Sequence, residues 1–140
     1  MAWKYTYDEL LQKLRKQLPK TTFKSERFEV PRVRGGYQGN HTIITNFKQI
    51  VNYLRRKPEH LLKYLSGELA TQARLNNGRA DFTGRFSSVE INKKIQSYVN
   101  EFVKCHECGK PDTKLVKEGK VTMMVCMACG SKRPVRSLKK

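Results

Sequence analysis

Tyr7, Leu10, Leu11, Leu14 and Leu18 recur at i, i+3, i+4, i+7 and i+11, the spacing that lines one face of a single helix. Pro19 stops it. Residues 19–27, Pro-Lys-Thr-Thr-Phe-Lys-Ser-Glu-Arg, are polar and without period, so they read as a linker. The pattern therefore predicts an N-terminal helix within residues 1–18 whose apolar stripe has no neighbour in sequence to cover it.

From residue 28 the pattern changes. Phe28-Glu29-Val30-Pro31-Arg32-Val33 is extended and Gly35-Gly36 breaks it. After Gly39 the β-branched run His41-Thr42-Ile43-Ile44-Thr45 suits a strand. Asn46 is placed to cap a helix that buries Phe47, Ile50, Val51 and Leu54, and Pro58 opens the next, with Leu61, Leu62 and Leu65 on its inner face and Gly67 at its end. Leu69 to Leu75 and Arg79 to Phe86 read as two strands joined by Asn77-Gly78, the dipeptide that supplies the positive φ angles of a tight hairpin. Ser87-x-x-Glu90 is a capping box before a helix with Ile91, Ile95, Tyr98, Val99 and Phe102 on one face. Residues 28–103 thus form a small α+β domain: an antiparallel sheet with covering helices.

Residues 104–140 hold all four cysteines, as Cys105-x-x-Cys108 and Cys126-x-x-Cys129. Two intervening residues let both sulfurs of a knuckle reach one ion at about 2.3 Å. The 17 residues between Cys108 and Cys126 accommodate one hairpin, Leu115-Val116 and Val121–Val125 around the turn Glu118-Gly119-Lys120. Gly109 and Gly130 tolerate the tight turns that follow the knuckles. Four thiolates with no open position describe one structural zinc, with rubredoxin-like iron or a redox dithiol pair as alternatives. His106 sits between two ligands and faces solvent in this reading. A segment this short buries too little apolar area to offset about 1.5 kcal/mol of ordering entropy per residue, so the metal supplies the missing stability.

Composition narrows the function. The 140 residues carry 29 Lys+Arg against 12 Asp+Glu, a formal charge of +17, which favours polyanions, RNA or the ribosome foremost. The alternative is the solvated basic surface of a protein adapted to a hot or salty cytoplasm. Arg32 and Arg34 beside the glycine loop, and Arg79 and Arg85 on the second hairpin, suit phosphate contacts or an ordinary charged sheet edge equally well. The tail, with Lys132, Arg133, Arg136, Lys139 and Lys140 and no acid among them, is the denser basic patch.

Enzyme signatures are missing. There is no Walker A sequence, Gly35-Gly36-x-x-Gly39 lacks the lysine and helix that phosphate binding needs, His41, His60 and His106 are scattered, and no cysteine is left over as a nucleophile. No apolar run approaches the roughly 20 residues of a membrane span. Met1-Ala2-Trp3-Lys4-Tyr5 has no signal core. A non-catalytic cytoplasmic protein is expected.

The order of these segments, with their local sequences, resembles the beta-subunit family of archaeal translation initiation factor 2. The stretches that carry the likeness are Tyr7-Asp8-Glu9-Leu10-Leu11, Arg27-Phe28-Glu29-Val30-Pro31, Gln38-Gly39-Asn40-x-Thr42-Ile43-Ile44-Thr45-Asn46-Phe47, Pro58-Glu59-His60-Leu61-Leu62-Lys63-Tyr64-Leu65, Gly84-Arg85-Phe86, Pro111-Asp112-Thr113 and Cys126-x-x-Cys129-Gly130. The resemblance implies a non-catalytic subunit of a heterotrimer that carries methionylated initiator tRNA to the small ribosomal subunit. In that family the gamma subunit binds GTP and the alpha subunit is an indirect partner. The stripe Tyr7, Leu10, Leu11 and Leu14 would then be the anchor to gamma. The lysine-block extension of eukaryotic relatives is absent before the first helix, which favours the archaeal form. The N-terminal half of translation initiation factor 5 is also similar, but it stimulates GTP hydrolysis through an arginine near its start, and here none precedes Arg15. The competing reading is a free-standing basic zinc-ribbon module that binds RNA or regulates a GTPase.

Overall fold

A computed structural model describes residues 4–18 and 28–138, so the expected linker at 19–27 and the tail residues Lys139 and Lys140 lie outside the described residues. The N-terminal helix, α1, spans Tyr7–Gln17. It opens on a capping box that the apolar pattern did not single out: the Glu9 N–H donates to Thr6 Oγ1 and Glu9 Oε2 accepts from the Thr6 N–H at 2.9 Å. None of its residues is buried.

The central unit is a four-stranded antiparallel sheet, order β1-β2-β4-β3, built from β1 (Gly35–Gln38), β2 (His41–Ile44), β3 (Ala73–Asn76) and β4 (Arg79–Thr83). Helices α2 (Phe47–Leu54), α3 (Pro58–Glu68) and α4 (Ser88–Tyr98) cover one face. On the two central strands, β2 and β4, buried side chains alternate with outward ones, so Ile44, Ala80 and Phe82 meet Phe47, Ile50, Leu61, Leu65, Ile91 and Ile95 in one apolar layer. His41, Arg79 and Thr83 point to the other face, which the helices leave open.

Several boundaries differ from the sequence reading, each for a local reason. Gly35-Gly36 does not break the chain but forms the edge strand β1, whose register Gly35↔Ile44 to Gln38↔His41 closes a hairpin at Gly39-Asn40. Phe28–Val33 lies outside both sheets. Asn46 occupies the N-cap position of α2 without a capping hydrogen bond. Its side chain instead ties down the incoming chain, accepting from the Arg34 N–H and donating to the Arg32 carbonyl, both at 2.8 Å. Gly67 sits inside the last turn of α3, and the reversal after the helix uses Ala70 at φ 49, which delays β3 to Ala73. β4 ends at Thr83 rather than Phe86. Pro58 at the first turn of α3, Asn77-Gly78 with φ 50 and 78, and the Ser87/Glu90 capping box stand as expected.

After Tyr98 the helix widens into a π-helical turn, Val99–Val103, closed by the Lys104 N–H on the Val99 carbonyl at 2.8 Å. The turn delivers Cys105. Beyond it lie β5 (Thr113–Glu118), β6 (Val121–Cys126) and β7 (Lys132–Val135), a three-stranded sheet where the sequence suggested a hairpin and a free tail. Leu115, Val135 and Leu138 pack against the central core, which seats this ribbon on the α+β unit.

Candidate metal centre and interaction surfaces

The knuckles are turns closed by backbone bonds, Gly109 N–H to the Cys105 carbonyl at 2.9 Å and Gly130 N–H to the Cys126 carbonyl at 3.0 Å. Gly109 and Gly130 adopt φ 70 and 75, the left-handed region where a side chain would strain the turn. The β5–β6 pairing, with Thr113 opposite Cys126, brings the second knuckle beside the first. All four Sγ atoms lie within 4.8 Å of one another. Cys105 Sγ is 3.5 Å from Cys129 Sγ, and Cys108 Sγ is 3.6 Å from Cys126 Sγ. Disulfides need sulfurs about 2.05 Å apart, whereas a tetrahedral ion with bonds of about 2.3 Å holds its sulfurs about 3.8 Å apart. The cage matches the ion.

Its electrostatics agree. The Cys108 backbone N–H and then the Ser131 hydroxyl hold the Cys105 thiol down to about 6. Ser131 also lowers Cys129. The Lys110 backbone N–H pulls Cys108 the same way, yet desolvation and the three neighbouring sulfurs push it up to about 11. A central cation would stabilise all four as thiolates. Cys105 and Cys126 are buried while Cys108 and Cys129 are exposed, and His106 is exposed and outside the cage. Donor chemistry and spacing fit zinc in a closed position with nothing left for a substrate.

On α1, Tyr7 is 77%, Leu10 42% and Leu14 53% exposed, and Leu11 is half-buried. The stripe expected from periodicity is one face, and the described part of the chain does not bury it.

The basic candidates do not form one cluster. Arg32 and Arg34 precede β1 and are held by the Asn46 side chain; Arg79 begins β4 on the open face, and Arg85 lies past its other end with Nε and Nη2 on the Gly39 carbonyl at 3.3 Å. Arg136 is engaged within the fold, its guanidinium 3.5 Å from Glu68 and 3.4 Å from Glu101 and 5.8 Å above the Tyr64 ring. Lys132 and Arg133 are exposed on β7, on opposite faces of it.

A surface that the sequence reading missed is the outer face of the ribbon. Register places Lys114, Val125 and Lys132 in one row and Val116, Met123 and Pro134 in the next. These side chains are exposed or half-buried, opposite the face that buries Thr113, Met124 and Cys126. The signal was present in the alternation Lys114-Leu115-Val116 and Val121-Thr122-Met123-Met124-Val125, but it could be read only once β7 was recognised as a strand. No helix among the described residues is long and apolar enough to cross a membrane.

The family model for a domain found in initiation factors 2B and 5 matches residues 19–132. Curated proteins named "Translation initiation factor 2 subunit beta" are similar along nearly the whole chain. One from Methanococcus maripaludis strain C7 is 46% identical over 134 residues, covering 96% of this chain and 97% of that protein. Another from Methanococcus vannielii is 43% identical over 134 residues with the same coverage. A third from Methanosphaera stadtmanae is 42% identical over 132 residues, 94% of this chain and 93% of that protein.

Proposed function

The chain belongs to the family of translation initiation factor 2 beta subunits, and from that premise we propose that it acts as the non-catalytic subunit of a heterotrimeric, GTP-dependent factor that delivers methionylated initiator tRNA to the small ribosomal subunit. In this reading the gamma subunit binds the nucleotide, α1 anchors the chain to gamma, and the alpha subunit is reached only through gamma. One structural zinc held by Cys105, Cys108, Cys126 and Cys129 keeps the ribbon folded, and the open sheet face and the ribbon meet RNA in the cytoplasm.

The observation that carries the reading is the bare stripe on α1. A helix of 11 residues is marginal alone in water, and this one exposes Tyr7, Leu10 and Leu14 along one side. An amphipathic helix laid in a partner's groove concentrates binding in a few apolar anchors. Titration calorimetry of the gamma subunit with Leu10→Ala and Leu11→Ala should show binding weakened by about 1–3 kcal/mol, while thermal melting of the free chain stays the same. Undiminished affinity together with a lowered melting temperature would make α1 part of the core and defeat the anchor.

A further inference from the structure

One side chain of the central unit reaches the approach to both cysteine knuckles. Arg56 follows the left-handed Arg55, φ 52, that ends α2, and is only 8% exposed. Its Nη1 donates to the Thr113 carbonyl at 2.7 Å; its Nη2 donates to Thr113 Oγ1 at 2.6 Å and to the Phe102 carbonyl at 2.8 Å. The Thr113 hydroxyl passes the chain of bonds on to the Val103 carbonyl. Phe102 and Val103 belong to the π-helical turn that delivers Cys105. Thr113 is the register partner of Cys126, and the carbonyl of its neighbour Asp112 accepts from the Met127 N–H at 2.8 Å.

A buried guanidinium whose Nη atoms donate to carbonyl oxygens and one hydroxyl, whose Nε has no partner, and which has no carboxylate beside it among the described residues, is a costly way to join two segments. An apolar contact would hold them together more cheaply. The planar fork adds geometry: its donors diverge at fixed angles, so the Phe102 and Thr113 carbonyls are held at a set separation. Each knuckle is a local turn, but the distance between the knuckles depends on where the chain enters at Lys104 and where β5 starts. Arg56 fixes those two places against each other.

We propose that Arg56 is a positioning residue for the metal centre, a central-unit cation that sets the two cysteine knuckles at the spacing a four-thiolate ion requires. The proposal rests on reading the four thiols as a zinc site. Metal retention then depends on a residue that touches neither metal nor ligand, and by reciprocity the bound metal stiffens the corner between α2 and α3 where Arg56 sits.

The test uses the full chain loaded with zinc or cobalt. Arg56→Met keeps the bulk and removes the fork; Thr113→Val removes only the hydroxyl and keeps a strand former. Zinc transfer to a chromophoric chelator should speed up about tenfold in both, the low end of what outer-sphere changes cost a metal site. Arg56→Lys should fall between them and the parent, and the visible cobalt bands should shift as the ligand geometry loosens. Ile91→Val trims the buried core on α4 away from this network and serves as the control for simple destabilisation: it should lower the melting temperature and leave release rate and cobalt bands alone. Parent-like release and bands in Arg56→Met and Thr113→Val, or equal acceleration in Ile91→Val, would overturn the brace while leaving the zinc centre standing. A parent chain that holds no stoichiometric zinc or cobalt would overturn both.

Discussion

The Tyr98 hydroxyl lies 2.8 Å from His60 Nδ1, where α4 crosses α3. Tyr98 is fully buried, and burial pushes its pKa up. Burial, followed by the charges of Arg56 and Lys63, holds His60 below the usual imidazole range. Both groups are thus held neutral, a state in which the phenol can donate to Nδ1, and the His60 ring stands edge-on to Phe102 at 5.0 Å. A protonated His60 would be a part-buried cation facing the charges of Arg56 and Lys63, with its Nδ1–H now donating to the phenol oxygen.

The sign of the pH dependence follows. With its folded pKa depressed below the unfolded value of about 6.5, His60 is neutral in both states at pH 7.5 and adds no pH dependence there. As the pH falls below about 6.5 the unfolded chain takes up the proton first, and stability is lost down through the folded pKa. Melting temperatures should decline between pH 7 and 5, and His60→Gln should flatten that decline. An equally steep fall in the substituted chain would place the acid sensitivity elsewhere.

Cys126→Ser should abolish stoichiometric zinc, read by metal analysis, since structural zinc in such sites is worth on the order of 10 kcal/mol. Amide exchange in β5, β6 and β7 should accelerate. The central unit should keep a melting transition of its own, because Ile44, Phe47, Phe82 and Ile95 pack between its own sheet and helices. That transition should move to lower temperature, since Leu115, Val135 and Leu138 no longer cover its core. Full zinc content in the variant would mean that the ligand set is misassigned.

What the sequence made legible was local. Cys-x-x-Cys spacing, Asn77-Gly78, Pro58 and the Ser87/Glu90 box act within a few residues, so their geometry is written where they occur. The third ribbon strand was hidden because Lys132–Val135 is short, basic and contains Pro134, which reads as a tail. The seating of the ribbon was hidden for a different reason. Arg56 meets a carbonyl 57 residues away, and no periodicity in either segment announces a contact between them. Asn46 shows the same limit at shorter range, since a good capping residue was taken over by the Arg32 and Arg34 backbone.

Gly35 offers a sharper test of the edge strand that the glycine pair concealed. A Cβ there would sit 2.0 Å from the Ile43 carbonyl oxygen, whereas one at Gly36 would meet nothing within 4 Å. Gly35→Ala should therefore prise β1 from β2 and cost at least the roughly 1–3 kcal/mol typical of overpacking. Tyr37 should lose its 3.0 Å bond to the Phe86 carbonyl with it. Gly36→Ala should be close to neutral. Denaturant melts of the two variants decide the matter, and equal midpoints would return Gly35-Gly36 to a loop.

The proposed RNA contacts predict a salt dependence that can be assigned to residues. Each phosphate neutralised releases condensed counterions, so log affinity falls linearly with log salt, with a slope of about 0.7–0.9 per contact. Lys114 and Lys132 flank Val125 in one row on the ribbon's outer face, with no ion pair recorded for either among the described residues. Replacing both with Gln should reduce the slope for tRNA or ribosomal RNA by about 1.4–1.8 if both meet phosphate. Truncating the tail is a poorer experiment, because it removes the packing of Leu138 and the bridges of Arg136 to Glu68 and Glu101. Arg136→Gln serves as the contrast: already shared between two carboxylates, its charge should leave the slope nearly unchanged while the ribbon seats less firmly on α3. Should Arg136→Gln flatten the slope and the lysine pair leave it intact, the RNA-facing surface would lie on the α3 side of the ribbon.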